Sequence, residues 1–262
     1  MISYHGCTAL ITGASSGIGA ELARQLAPYA RTLILVARSR DALVRLATEL
    51  ARPGLELTVH PADLADAGQL AAVIAAAREA KVDFLINNAG LGDHGLFEKS
   101  DWSRVQAMID VNITALTRLT HGILPAMVAR KSGRILNVSS IAGDIPVPGM
   151  AVYAATKSYV TSLTEATRAE LNGTGVTVTA VCPGPVDTRF SSTAERPGER
   201  DDMKSPSILK ATIPQVARAA LIAVERGRAR VVPGWVPAAV ALAISIIPMF
   251  AIRAFLKTKA RA

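Results

Sequence analysis

The sequence predicts an α/β fold, a single domain built on a doubly wound parallel sheet with helices on both faces. Short runs rich in Val, Ile and Leu alternate along the chain with longer helical patterns. Strands that are apolar throughout are typical of a sheet covered on both faces, and helical crossovers make such strands parallel. Half of the 262 residues are hydrophobic, which is enough to form the core of one such domain.

Each element follows from its own pattern of apolar residues and turn signals. The predicted strands lie within 8–12, 32–37, 57–64, 82–90, 133–140, 176–184 and 229–234. The predicted helices begin near Gly17 and cover 40–51, 67–80, 101–130 and 151–172. Segment 185–212 departs from this alternation because it is polar, charged and rich in Ser, Pro and Gly. A loop of this length indicates a substrate lid, and a surface insertion without a role is the alternative.

Composition excludes several classes of protein. The two cysteines, Cys7 and Cys182, form no CxxC pair, so neither a zinc site nor a disulfide framework is expected and a reducing compartment is favoured. The first residues lack the basic and apolar regions of a signal peptide, which predicts a cytoplasmic protein. Aromatic residues make up only 4% of the chain, so no nucleic-acid partner is predicted.

The motif TGASSGIG, residues 12–19, follows the first strand and opens a helix. Glycines at 13, 17 and 19 permit a tight turn and close approach of the backbone to a pyrophosphate, and the helix N-terminus offers free amides. The spacing is GxxxGxG, whereas the common dinucleotide fingerprint is GxGxxG. A Gly-rich turn without a ligand is the alternative.

Arg38 follows the second strand, where sites for the unphosphorylated dinucleotide usually carry an acid. A cation here favours a 2′-phosphate, so NADP(H) is predicted over NAD(H), with Ser15 and Arg40 assisting. A solvated arginine at a helix start is the alternative. Asp63 follows the third strand and either accepts a hydrogen bond from an adenine amino group or caps a helix. NNAG, residues 87–90, brings small residues to the end of the fourth strand.

Together these segments resemble the short-chain dehydrogenase/reductase family over about residues 5–190. The resemblance rests on TGASSGIG, NNAG, Asn112, NVSS (137–140), YAATK (153–157) and PGPVDT (183–188), which occur in the family's order. It implies a Rossmann-like enzyme that transfers hydride between NADP(H) and a carbonyl or secondary alcohol, with no metal. A catalytically silent NADP-binding sensor or membrane-recruitment protein of the same fold is the alternative. The family also implies a homodimer or homotetramer.

Tyr153 and Lys157 are four residues apart, so they share one face of a helix. A nearby ammonium is expected to lower the pKa of the phenol, which then acts as the proton donor or acceptor. Ser140 lies at the family's distance before Tyr153 and would orient the substrate oxygen, whereas Ser139 fits less well. By resemblance, Lys157 holds the nicotinamide ribose and Asn112 holds a water in a proton relay.

The resemblance also gives a cofactor-binding set and a substrate pocket. The predicted cofactor residues are Gly13, Ser15, Ser16, Gly17, Ile18, Gly19, Arg38, Asp63, Leu64, Asn88, Ala89, Gly90, Tyr153, Lys157, Pro183, Gly184, Val186 and Thr188. Leu91, His94, Val147, Met150 and segment 190–212 are expected to line the substrate site.

The chain is divided into a dinucleotide-binding and catalytic domain over 1–234 and an apolar, basic tail over 235–262. Residues 231–252 carry no charge, and most of the net charge of +8 comes from basic residues within 213–262. Cations on both sides favour peripheral association of 231–262 with an anionic membrane surface. Packing on the substrate pocket or a partner subunit and a single membrane span are the alternatives. Pro237 and Pro248 are expected to break or kink a helix.

Overall fold

A seven-stranded sheet forms the centre of the protein in the computed structural model, which describes residues 4–186, Ala194, Arg196 and 210–257. The strands are β1 (Thr8–Thr12), β2 (Thr32–Ala37), β3 (Glu56–Pro61), β4 (Phe84–Asn87), β5 (Gly133–Val138), β6 (Val176–Val181) and β7 (Arg230–Val231). Every neighbouring pair is parallel, and the spatial order is β3-β2-β1-β4-β5-β6-β7. The predicted doubly wound parallel sheet is therefore confirmed. The strand order reverses direction between β1 and β4, which is where ligands bind in folds of this kind.

Helices cover both faces of the sheet. They are α1 (Gly17–Leu26), α2 (Arg40–Leu50), α3 (Ala67–Glu79), α4 (Trp102–Ile109), α5 (Leu116–Ala129), α6 (Ala151–Glu170), α7 (Ile213–Glu225), α8 (Trp235–Ile246) and α9 (Met249–Lys257). Because side chains alternate along a strand, Ala9 and Ile11 enter the core beneath α1 and α7, and Leu10 enters the core beneath α3 and α5. Two separate cores result.

Two helices differ from the sequence-based expectation. The helix predicted over 101–130 is interrupted by a π-helical turn, Asp110–Ala115, between α4 and α5. Helix α7 was not predicted, although Thr212 begins it with a capping box to Gln215 and Pro214 lies in its first turn. Thr212 is the last residue of the polar segment 185–212, so the local composition did not indicate the start of a helix there.

The tail folds into two short helices. Helix α8 ends at Ile246 and α9 begins at Met249, so the helical structure is interrupted at Pro248 as expected. Pro237 was also expected to break or kink a helix, but it lies within the first turn of α8, where a helix tolerates proline. Helix α8 packs against a short 3₁₀ turn, Ile141–Asp144. Among the described residues, no helix is both long and apolar enough to cross a membrane.

Candidate active site

Ser140 lies just beyond the carboxyl end of β5 and begins the 3₁₀ turn. Its Oγ accepts a hydrogen bond from the amide of Ala142 (3.1 Å) and donates to the carbonyl of Pro183 (3.5 Å). The preceding Ser139 is 3% exposed and its Oγ donates to the carbonyl of Lys157. Ser139 thus ties β5 to α6, while Ser140 keeps a partly exposed hydroxyl at the sheet edge.

Tyr153 and Lys157 lie on the buried side of α6 and face Ser140. Both side chains are almost fully enclosed, and the Nζ of Lys157 is 5.7 Å from the centre of the Tyr153 ring. The Tyr153 phenol hydrogen-bonds the Ser140 side chain. Three of the four predicted catalytic side chains therefore converge at one point above β5.

Burial decides the protonation of this pair. Burial raises the pKa of Tyr153 to about 12, and the hydrogen bond with Ser140 only partly opposes that effect. Burial also lowers the pKa of Lys157 to about 8, against an opposing interaction with Cys182. The expectation that Lys157 lowers the phenol pKa does not hold for the chain by itself, because loss of hydration outweighs the charge of a lysine that is itself desolvated.

Asn112, the fourth predicted catalytic residue, lies in the π-helical turn and is 1% exposed. Its Oδ1 accepts from the amide of Leu91 (2.8 Å), and its Nδ2 donates to the Leu91 carbonyl (2.9 Å) and to Thr156 Oγ1 (3.0 Å). A methyl group on Gly90 would lie 3.4 Å from both Asn112 Oδ1 and Lys157 Nζ. Asn112 thus joins the loop after β4 to α6, with its Oδ1 close to Lys157.

The Gly-rich loop is held against the end of β4. Gly13 has a φ of +66°, and a methyl group there would lie 2.8 Å from Asn88 Nδ2 and 2.9 Å from Ala89 Cα. Thr12 Oγ1 accepts hydrogen bonds from the amides of Asn88 and Ala89, both over 3.0 Å. Asn88 Nδ2 in turn donates to the carbonyls of Thr12 (2.9 Å) and Gly13 (3.2 Å). The two predicted cofactor motifs therefore form one rigid unit.

Helix α1 begins within this loop, at Gly17. Gly17 has a φ of +57°, buried Gly19 packs against Gly13 and Asn88, and Ile18 and Ser15 are partly exposed. Among the described residues, the Ser16 side chain caps none of the α1 amides. A phosphate group accepts hydrogen bonds from backbone amides at a helix N-terminus, and its negative charge is stabilised by the positive end of the helix dipole. The loop therefore fits a dinucleotide pyrophosphate.

The sequence model of the short chain dehydrogenase family matches residues 7–198. The chain belongs to this family. The ketoacyl reductase HetN of Nostoc sp. is 37% identical over 201 residues, 73% of this chain and 70% of that protein. The chain is thus confirmed as a nucleotide-binding oxidoreductase that acts on carbonyl or alcohol groups.

Two solved structures extend the likeness. A short-chain dehydrogenase from Sphingobium yanoikuyae in complex with NADPH is 33% identical, with a TM-score of 0.79 over 92% of this chain and 96% of that chain. A short-chain dehydrogenase/reductase from Burkholderia phymatum in complex with NAD is 27% identical, with a TM-score of 0.81 over 92% and 93% of the two chains. Solved relatives with this fold thus occur with either dinucleotide.

Arg38 and Arg40 lie just beyond the carboxyl end of β2. Both are exposed, and Ser39 between them caps α2 through the amide of Ala42 (3.3 Å). The amide of Ala14 donates to the carbonyl of Val36 (3.2 Å), which joins the Gly-rich loop to the end of β2. Ser15 and Arg38 are therefore carried by two backbone segments that meet at the same sheet edge.

Asp63 does not cap a helix, so that alternative is wrong. The N-cap of α3 is Asp66, whose side chain accepts from the amide of Gln69 (2.8 Å). Asp63 Oδ1 instead accepts from the amide of Ala65 (3.0 Å) and forms a small turn just beyond β3. Leu64 beside it is buried. Asp63 thus stays partly exposed at the carboxyl edge of the sheet.

The turn after β6 adjoins Ser140. The carbonyl of Pro183 accepts from the amide of Ile141 (3.1 Å) as well as from Ser140, and Gly184 and Val186 are partly buried. Thr188 lies outside the described residues, as does most of segment 185–212. This turn therefore fixes the start of the 3₁₀ turn that carries Ser140.

The predicted substrate-lining residues come from two loops that contact each other. The amide of Gly95 donates to the carbonyl of Gly149 (2.8 Å), which brings the loop with Leu91 and His94 against the loop with Val147 and Met150. From segment 190–212, Ala194 accepts a hydrogen bond from the His94 amide (2.9 Å). Its neighbour Arg196 pairs with the buried Asp93.

Two contributors to the site were not predicted as site residues. Thr12 is buried and connects the loops after β1 and β4, as described above. Asn87 is 3% exposed, and its Nδ2 donates to Asn137 Oδ1 (2.9 Å) and Thr120 Oγ1 (3.1 Å). The polar residues within the TGASSGIG and NNAG motifs could have indicated these two roles, because a buried polar side chain requires hydrogen-bond partners.

Proposed function

We propose that this dehydrogenase uses NADP(H) to interconvert a carbonyl group and a secondary alcohol, and that it works as a carbonyl reductase. The observation that carries the proposal is the convergence of Ser140, Tyr153 and Lys157 beside the Gly-rich loop. A bound nicotinamide dinucleotide supplies the hydride to the carbonyl carbon. The protein side chains then have to position the carbonyl oxygen and give it a proton.

Tyr153 is the proton donor in this proposal. As the carbonyl carbon gains hydride, the carbonyl oxygen takes the phenol proton, an alcohol forms and Tyr153 becomes a phenolate. A phenol with a pKa of about 12 is protonated at neutral pH, which is the state that a proton donor requires. Ser140 donates a second hydrogen bond to the same oxygen and so polarises the carbonyl.

Lys157 restores the proton. Its pKa of about 8 lies near neutrality, so the ammonium loses and regains a proton readily, and its Nζ is held near the Tyr153 ring. The proximity of Asn112 Oδ1 to Lys157 across Gly90 supports a bridging water there, with solvent as the final proton source. Lys157 is also proposed to hold the nicotinamide ribose.

The preference for NADP(H) rests on Arg38. Arg38 directly follows β2, and its guanidinium supports recognition of a 2′-phosphate together with Ser15 and Arg40. Asp63 and Leu64 are proposed to contact the adenine, and Pro183, Gly184, Val186 and Thr188 the nicotinamide. A homodimer or homotetramer is proposed for the assembly, and light scattering of the purified protein tests it.

The substrate is proposed to be apolar, since the two contacting loops carry the apolar residues Leu91, Val147 and Met150. The test is the loss of NADPH absorbance with a panel of aldehydes, ketones, 3-keto acyl esters and steroids, beside a Tyr153→Phe variant. Turnover that the variant abolishes supports the proposal. Tight NADPH binding without turnover on any compound overturns the reductase and favours an NADP sensor.

A further inference from the structure

The two tail helices and the link between them expose six large apolar side chains. We call this set the tail face and define it as Trp235, Leu242, Ile246, Ile247, Met249 and Phe250. Trp235 is 81% exposed, Phe250 74% and Ile246 73%. Single exposed apolar residues are common, but a patch of six large ones within sixteen residues marks an interaction site.

Three residues of the tail face lie on one side of α8. Trp235, Leu242 and Ile246 are seven and four residues apart, which places them along one face of a helix. Pro237 and Ala241 are the buried residues of α8, and this helix packs on the 3₁₀ turn Ile141–Asp144. A surface helix normally directs its apolar side to the core and its polar side to water. Helix α8 has large apolar side chains on the exposed side, so an apolar partner covers it.

The charge around the tail face points to the nature of that partner. From position 226 to position 262 the sequence contains seven basic residues and no Asp or Glu; the basic residues are Arg226, Arg228, Arg230, Arg253, Lys257, Lys259 and Arg261. Arg226, Arg228 and Arg253 are exposed. A second copy of this chain seated on the same face would bring two sets of cations together, which is unfavourable. An anionic lipid surface complements both the apolar face and the cations.

We propose that the tail face docks α8 and α9 on the surface of an anionic bilayer. The helices have 12 and 9 residues, so each is about 18 Å long or less, well short of the roughly 30 Å of a hydrocarbon core. The break at Pro248 prevents one longer helix. The helices therefore lie in the interface with their apolar side chains among the acyl chains, and exposed cations such as Arg253 contact lipid headgroups.

Docking places the bilayer beside the catalytic centre. Helix α8 packs on the same 3₁₀ turn that Ser140 begins, and Arg230 pairs with Asp144 at the end of that turn over 2.5 Å. An apolar carbonyl compound dissolved in the membrane would then be concentrated about one helix diameter from that turn. This consequence for substrate class rests on the proposed reductase activity, whereas the docking itself does not.

The two tryptophans of the chain provide a direct test. A Trp102→Phe variant leaves Trp235 in the tail face as the only tryptophan. A Trp235→Phe variant leaves Trp102 of α4, which is 66% exposed, as the matched control. Each is titrated with vesicles of phosphatidylcholine containing phosphatidylglycerol, with phosphatidylcholine alone, and with vesicles carrying brominated acyl chains. No substrate is present, so failure of docking is distinguishable from failure of catalysis.

We expect Trp235 emission to shift to the blue with the anionic vesicles and to be quenched by brominated lipid, while Trp102 stays unchanged. Binding should weaken at high salt, and Arg253→Gln should weaken it about fivefold, as expected for one basic residue at an anionic surface. An Ile246→Ser and Phe250→Ser double variant should bind at least about tenfold more weakly, whereas Val44→Ser on α2 should bind normally.

Three results overturn the proposal. One is an equal response of Trp102 and Trp235, and another is equal binding to neutral and anionic vesicles. The third is a blue shift of Trp235 that needs no vesicles and follows protein concentration, which would show that a second copy covers the tail face. The single-tryptophan variants decide the question even if the double variant fails to fold.

Discussion

Lys157 and Val138 are joined by a hydrogen bond in which the lysine Nζ donates to the carbonyl oxygen at the end of β5 over 2.9 Å. The bond fixes the position of the amino group, which lies 5.7 Å from the centre of the Tyr153 ring. Since burial lowers the pKa of Lys157 to about 8, its protonation changes within the range where the enzyme can be assayed.

The first prediction is an alkaline limb in the reductase reaction. We expect kcat/KM to fall about tenfold per pH unit above about 8, because neutral Lys157 supplies neither a proton to the relay nor a charge beside the phenol. Tyr153, with a pKa of about 12, stays protonated and adds no second limb in this range. The measurement is the pH profile of NADPH oxidation with an uncharged ketone.

A Lys157→Arg variant is the control for this profile. Its guanidinium stays charged across the range, so the alkaline limb should disappear even though activity is lower. A wild-type profile that is flat to roughly pH 10 would contradict the assignment of the limb to Lys157.

The second prediction concerns the choice of dinucleotide. Arg38→Asp removes the cation proposed to bind the 2′-phosphate and introduces an acid that suits an unmodified ribose. We expect the ratio of kcat/KM for NADPH to that for NADH to fall by about tenfold to a hundredfold, the effect of one hydrogen bond to a charged group. Arg45→Asp, farther along α2, is the matched control, and an equal change in both variants would refute the role of Arg38.

Much of the sheet could be predicted because its strands are locally encoded. The bounds of β1 and β2 agree with the apolar runs TALIT and TLILVA, since every residue in those runs is buried. The fourth strand was predicted over 82–90, yet β4 ends at Asn87. After Asn87 the backbone bonds to Thr12 and Asn112 instead of a neighbouring strand, and a local pattern cannot show such distant partners.

The sequence allowed the positions of the catalytic side chains to be predicted, but not the directions of their pKa shifts. The spacing of Tyr153 and Lys157 placed both on one face of α6. Their pKa directions depend on enclosure by β5, the 3₁₀ turn and α6 together, which only the folded chain has. The same holds for the π-helical turn, because the bonds of Asn112 to Leu91 and Thr156 join residues far apart in sequence.

The third prediction separates close packing from backbone conformation at the Gly-rich loop. Gly13 and Gly173 both have a positive φ, +66° and +78°, so alanine strains the backbone at either position. A methyl group at Gly13 meets Asn88 and Ala89 within 3.0 Å, whereas at Gly173 nothing lies within 4 Å. We expect Gly13→Ala to lower the free energy of unfolding by about 1–3 kcal/mol more than Gly173→Ala.

Urea denaturation of both variants measures this difference. Gly13→Ala should also weaken NADPH binding, because the loop and the NNAG segment then move apart, while Gly173→Ala should bind normally. Equal losses of stability in the two variants would show that the backbone conformation, and not the contact with β4, requires glycine at position 13.

The fourth prediction concerns a buried ion pair at the substrate loops. Arg196 Nη2 lies 2.6 Å from Asp93 Oδ2, and the two side chains are 9% and 5% exposed. Arg104 also donates to Asp93, over 3.1 Å. Burial alone would raise the pKa of Asp93, but the two guanidiniums hold it below its ordinary value. The pair therefore attaches Arg196 of the 185–212 segment to the loop that carries His94.

Asp93→Asn should destabilise the protein by about 3 kcal/mol, because it removes the carboxylate that pairs with a buried guanidinium. Glu49→Gln, which breaks the exposed pair with Arg24, is the control and should cost less than about 1 kcal/mol. Since the Asp93 pKa is lowered on folding, its contribution is present above the unfolded value of about 4 and is lost as the pH falls through the folded value. Urea unfolding at several pH values should therefore show the gap between wild type and Asp93→Asn closing on acidification. A gap that is independent of pH would mean that Asp93 acts through packing and not through its charge.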